Sequence, residues 1–145
     1  MARARAVDRR LYLLVEITAR RLHRQADARL RREAGVTAAQ SAVLFLLSRR
    51  GHRRMGAISE TLALGAPAVT GLVSRMEAAG LVVRAADSED RRSAVVSLTE
   101  AGRQAAFKAD QVLKEINAEL ADRLGEEQAD ALQDMLTRLN TGELG

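Results

Sequence analysis

The chain has 145 residues, 47% hydrophobic and 29% charged, which is enough apolar material for one folded domain and too mixed in charge for wholesale disorder. Aromatics make up only 2% and cysteine is absent, so aromatic cores, base-stacking platforms, disulfides, thiolate metal centres and thiol redox chemistry are excluded. The net charge of +4 is unevenly spread: residues 1–60 carry 14 basic and 5 acidic side chains, while residues 99–145 carry 5 basic and 10 acidic. Nearly all the basic residues are arginine, whose planar fork suits phosphate and guanine. A GC-rich genome explains the same count, so composition permits an anionic partner without establishing one. No apolar run approaches the ~18 residues of a membrane span, and MARARAVDRR has no hydrophobic signal core. The expectation is a soluble, cytoplasmic protein with no membrane partner. His23 and His52 are too far apart for a local metal motif, so neither a metal nor a cofactor is expected.

Residues 8–33 read as one long helix, with Leu11, Leu14, Val15, Thr18, Leu22, Ala26 and Leu30 at three- and four-residue steps and Gly35 placed to end it. Thr37 opens a second helix, and Gln40 completes the T-x-x-Q capping pattern. Val43, Leu44, Leu46 and Leu47 form its apolar face, and Gly51 ends it. Met55 to Leu62 is a short helix. After the turn LALGAP comes another, with Gly65 as N-cap and Pro67 in its first turn, running to about Ala79. The period then changes from 3.6 to 2. Residues 81–84 and 93–98 are two short strands around the polar segment AADSEDRR, which predicts a two-stranded hairpin. Arg53 and Arg54 read as a solvated turn, and Phe45 and Phe107 as core. Helices over about 99–122 and 126–140 complete the chain, the first capped by Thr99.

A short helix, a turn, a second helix and a hairpin form a winged helix-turn-helix. The second helix of such a pair fits the major groove, and the hairpin tip reaches the adjacent minor groove. In the helix after Gly65 the buried set is Val69, Leu72, Val73 and Met76. The opposite face presents Pro67, Thr70, Gly71 and Ser74, with Arg75 at its side. At the hairpin tip stand Arg91 and Arg92, after the acidic Asp87, Glu89 and Asp90.

VTGLVSRMEAAGLV followed by DSEDRRSAVVSLTEAG resembles the recognition helix and wing of MarR-family (multiple antibiotic resistance regulator) transcription factors. The D-x-R, valine strand and L-T-x-x-G of that family are matched by Asp90, Arg92, Val96, Leu98, Thr99 and Gly102. Its recognition-helix pattern is matched by Val69, Thr70, Leu72, Val73, Arg75, Gly80, Leu81 and Val82. The resemblance covers about residues 8–140. It implies a mainly α chain acting as a single domain over residues 1–145. A winged lobe at about 37–98 would lie between dimerisation helices at about 8–33 and 99–140. It implies a homodimer on double-stranded DNA with a pseudo-palindromic operator. It further implies a repressor released by a small aromatic or lipophilic effector. The DNA-contact candidates are Pro67, Thr70, Gly71, Ser74, Arg75, Arg91 and Arg92. Asp90 is the candidate for positioning the wing, through a pair with Arg75.

Two departures stand out. Gly65, Ala66 and Pro67 occupy positions where the family often has serines, and Gly71 stands where a long polar or basic side chain is common. Both shift weight onto Thr70, Ser74, Arg75 and the wing. The alternative is a winged-helix protein-interaction module without specific DNA binding, which an uncharged recognition face would favour. No Gly-rich phosphate loop, nucleophile constellation or zinc spacing points to an enzyme, so no catalytic residue is expected.

Overall fold

Among the described residues, which are 10–90 and 92–141 of this computed structural model, six helices enclose a small three-stranded sheet. The first helix, α1 (Leu11–Ala34), ends where Gly35 turns left-handed at φ 69° and returns its N–H to the Leu30 carbonyl. The predicted residues 8 and 9 lie outside the described chain. Helix α2 (Ala38–Arg50) starts with both halves of its capping box formed. Thr37 Oγ1 accepts from the Gln40 N–H, and Gln40 Oε1 accepts from the Thr37 N–H, each at 3.0 Å.

A second cap on α2 comes from α1. Asp27 Oδ1 accepts the Ala38 N–H at 2.8 Å, one of the first-turn donors that a helix cannot satisfy internally. Its other oxygen accepts from Arg31 Nε at 2.7 Å. The backbone donor first, and then Arg31, hold the Asp27 carboxyl below the usual carboxylate range.

Strand β1 (Arg53–Arg54) leads directly into α3 (Met55–Leu62), a turn and α4 (Ala66–Ala78). Strands β2 (Val82–Ala86) and β3 (Ala94–Leu98) form the hairpin, and the sheet order is β1-β3-β2, antiparallel throughout. The third strand corrects the reading of Arg53 and Arg54 as a solvated turn: they pair with Val96 and Val95 of β3. Two adjacent arginines carry no alternation, so only their remote partner makes them a strand. The long helix α5 (Glu100–Leu124) and α6 (Glu126–Thr141) follow.

The start of α5 explains the L-T-x-x-G spacing. Thr99 Oγ1 accepts the Gly102 N–H at 3.0 Å and donates to the Gly80 carbonyl at 2.6 Å, tying the helix to the root of the hairpin. A methyl group on Gly102 would stand 2.0 Å from the Leu81 carbonyl oxygen. Only glycine fits that backbone approach.

The core lies inside the lobe. Val43, Leu44, Ile58, Val69, Val73, Met76, Val82 and Val96 are all essentially inaccessible, and Ala106, Ala109 and Val112 of α5 close it from one side. Arg29 ties α1 to α5 by donating to Glu115 and Glu119 at 2.8 Å each, and to Glu33 on its own helix at 3.2 Å. Hydrogen bonds to Glu33 and then Glu119 raise its affinity for its proton. Phe45 and Phe107 depart from the expected core. They are 47% and 66% exposed, because α2 and α5 bury their aliphatic faces and leave these rings toward the outside. The chain ends differ most from the lobe: α6 buries no residue and α1 buries only Leu30.

Candidate nucleic-acid interface

Helices α3 and α4 meet across the turn at a bend of 114°, within the range of about 90–120° for helix-turn-helix pairs. The turn is closed by the Leu64 N–H donating to the Ser59 carbonyl and by the Ser59 hydroxyl donating to the Leu64 carbonyl. Gly65 caps α4 without a side chain, and Pro67 sits in the first turn, where no helical N–H partner is lost. No side chain caps this first turn.

Val69, Leu72, Val73 and Met76 are buried, so the apolar stripe predicted by periodicity is the one α4 turns inward. On the other side Pro67, Thr70 and Arg75 are exposed, while Gly71 and Ser74 are half-buried. Thr70 donates its hydroxyl to the Ala66 carbonyl at 2.9 Å, which leaves its lone pairs and methyl group for an outside partner. The Arg75 guanidinium folds back over the adjacent turn, with Nη1 3.3 Å from where a Cβ on Gly71 would stand. The missing side chain at 71 is thus the space that the Arg75 side chain occupies. No carboxylate pairs with Arg75 among the described residues.

The wing is braced from two sides. Glu77 of α4 accepts from the Arg84 backbone N–H and from Arg84 Nη2, both at 3.2 Å, which fixes β2 against the end of α4. Arg54 Nη2 lies 2.6 Å from Asp87 Oδ2 at the other edge. Between the strands, the Asp87 N–H donates to the Ser93 carbonyl, and the Ser93 N–H to the Asp90 carbonyl. Asp90 spends its carboxylate inside this loop, accepting from the Arg92 N–H at 3.0 Å and the Ser93 hydroxyl at 3.2 Å. Its contacts shape the turn that presents Arg92. No ion pair joins Asp90 to Arg75 among the described residues, so the expected bridge between them does not form. The Arg92 side chain is exposed, and Arg91 lies outside the described residues.

Sequence reasoning missed three features. Arg54 looked like one more charge in an arginine run. Glu77 and Arg84 are seven residues apart, with a helix end and Gly80 between them. The third is a cavity of about 370 Å³ between α2 and α5, lined by Phe45, Ser48, Arg49, Arg103 and Phe107 among others. There the Arg49 guanidinium lies 5.3 Å from the centroid of the Phe45 ring, within cation–π range. The i, i+4 spacing of Phe45 and Arg49 was the available signal. Among the described residues no group of three or more His, Asp or Glu side chains is arranged to hold a metal ion, and no single helix is long and apolar enough to cross a membrane.

A two-helix reader joined to a braced hairpin defines a winged helix-turn-helix protein. Comparison with known proteins shows what it is similar to. A sequence model of the MarR family matches residues 34–93. Over 61 residues the chain is 43% identical to the HTH-type transcriptional regulator YfiV of Bacillus subtilis (strain 168), described as uncharacterized; the match takes in 42% of this chain and 38% of that protein. Among solved structures, the transcriptional repressor CouR bound to a 23-mer DNA duplex is 28% identical, with a TM-score of 0.80 over 89% of this chain and 91% of that one. NadR in complex with 4-hydroxyphenylacetate is 25% identical, with a TM-score of 0.76 over 99% of this chain and all of that one. Over residues 34–93 the chain is similar to the MarR family, and its fold is similar to that of the solved transcriptional regulators above.

Proposed function

We propose that this chain forms a homodimer that binds a pseudo-palindromic operator in double-stranded DNA and represses transcription, acting in the cytoplasm. The observation that carries this reading is the outward face of α4: small groups at Thr70, Gly71 and Ser74, and an arginine with no carboxylate partner among the described residues, beside a braced hairpin. Thr70 and Ser74 allow close approach to base edges, and the Arg75 fork suits the O6 and N7 acceptors of guanine. Pro67 and Gly71 keep the surface low, and Arg91 and Arg92 serve the adjacent minor groove or its phosphates. The likeness to CouR on DNA supports the same docking.

In this reading the chain works as one domain. The lobe at about 37–98 meets DNA, and helices at about 8–33 and 99–140 form the dimer. The exposed apolar residues of α1 and α6 support that division. A small aromatic or lipophilic effector is the proposed release signal. The α2–α5 cavity suits an aromatic ligand, with Phe45 and Phe107 for the ring and Arg49 for a polar or anionic group, while Asp110 also lines it and Arg103 is paired with Glu100. The likeness to NadR with 4-hydroxyphenylacetate supports that class.

Selection of duplexes from a random pool tests the proposal. The expected product is an inverted repeat with half-site centres about 10 bp apart, one helical turn. Recovery of no enriched motif would leave the protein-interaction module as the better reading.

A further inference from the structure

Arg54 ends β1 and is also the residue from which α3 starts, so it stands at the junction of the sheet and the helix-turn-helix. Its backbone is fixed opposite Val95 of β3, and its side chain crosses to the base of the wing loop. There Asp87 is the first residue beyond β2, with a side chain only 11% exposed. Asp87 Oδ1 accepts the Glu89 N–H at 3.1 Å. Asp87 Oδ2 is buried and accepts no directed hydrogen bond; its partner among the described residues is Arg54 Nη2, an ion pair at 2.6 Å. Glu89 lies further out, 3.8 Å from the same nitrogen and 85% exposed, and contributes little.

A carboxylate oxygen withdrawn from water with one cationic neighbour is sensitive to that neighbour. Removing the cation leaves the charge uncompensated, and the least costly relief is for the side chain to swing into solvent. Asp87 cannot do so alone, because its N–H and Oδ1 hold the first turn of the loop. The loop must move with it.

We propose that Arg54 is a wing-positioning residue: through Asp87 it sets the direction in which the wing loop leaves the sheet, and so where Arg92 is presented. The Glu77–Arg84 contact fixes the wing to the end of the recognition helix, and Arg54 fixes it to the start of α3. Both helices of the reading pair are thereby geared to the hairpin. The neighbouring Arg53 provides a control, because its guanidinium donates to the His52 carbonyl and pairs with no wing carboxylate among the described residues. The consequence for DNA rests on the function proposed above; the brace itself does not.

Amide hydrogen exchange on the full chain tests the brace without DNA. In Arg54→Ala the amides of Asp87, Glu89 and Ser93 should exchange about tenfold faster, with those of α2 and α5 unchanged. Arg53→Ala should leave the wing as it is. Arg54→Lys, which keeps a cation beside Asp87, should recover most of the protection. If Arg54→Ala fails to fold, Asp87→Asn should loosen the same amides from the other side. On a selected duplex, Arg54→Ala should lose discrimination between A·T-rich and G·C-rich sequence beneath the wing while keeping the major-groove motif. Unchanged wing exchange in both Arg54→Ala and Asp87→Asn, or no recovery in Arg54→Lys, overturns the proposal. If the native protein binds no DNA, the proposed function falls, while the exchange data still decide the brace.

Discussion

The winged lobe and the chain ends use the same raw material, amphipathic helices rich in leucine and arginine, with opposite results. In the lobe Leu44, Ile58, Val69, Val73 and Met76 lose all contact with solvent, and each helix has a partner within the chain. At the ends Leu11, Tyr12, Leu14 and Val15 of α1, and Leu132, Met135, Leu136 and Leu139 of α6, remain exposed. Each such side chain contributes about 2 kcal/mol once buried, so two exposed stripes are a large unused driving force. The lobe is complete in one copy, and the ends are built for another surface. In the function proposed here that surface is the second protomer, which turns two modest half-site contacts into one tight site.

The largest effect should come from the seam between the two regions. Gly102→Val places a branched side chain where even a methyl meets the Leu81 carbonyl at 2.0 Å. It should cost about 3 kcal/mol or more in denaturant unfolding. An unchanged midpoint would mean that the seam is loose. Next comes the pair Leu132→Glu and Leu136→Glu on α6. Because neither residue is buried in the chain, the lobe should keep its melting temperature in a monomeric background while self-association is lost. A dimer surviving both changes would move the interface elsewhere.

How much of this division was legible follows the range of the forces. The stripe at Val69, Leu72, Val73 and Met76 and the Thr37–Gln40 box are local patterns, and both stand in the structure as expected. So do the bounds of α3, from Met55 to Leu62. Strand β1 was not legible, because Arg53 and Arg54 have no strand pattern of their own and are defined by Val95 and Val96. Strand β2 extends through Ala85 and Ala86, poor strand formers that were assigned to the loop, because they face Val95 and Ala94 in the ladder. Phe45 and Phe107, expected in the core from the sequence, are exposed. Their exposure follows from which face α2 and α5 each bury, and from the cavity left between the two helices.

A smaller effect is expected within the lobe, at Arg92. Its side chain is exposed, so Arg92→Ala should change stability by no more than about 0.5 kcal/mol. If each guanidinium neutralises one phosphate, the dimer loses two contacts, and the slope of log K against log salt should flatten by about 1.8. Unchanged affinity and slope on every duplex would remove the wing from the interface.

The smallest effect concerns Asp27, which joins α1 to the lobe through the Ala38 N–H. Its folded pKa is depressed, so its contribution is complete above the unfolded value of about 3.9 and fades as pH falls through the folded one. Asp27→Asn should therefore be less stable than the native chain at neutral pH, and the gap should narrow in acid. Thermal melts from neutral pH down to about 2.5 check the sign; a gap that widens in acid would contradict it.

The contrast between a complete lobe and incomplete ends is tested most directly by sedimentation equilibrium at micromolar concentration, with and without a duplex selected from a random pool. The account predicts about twice the 15.7 kDa chain mass in the free protein and two chains per duplex in the complex. A free monomer that also binds one chain per duplex would contradict it.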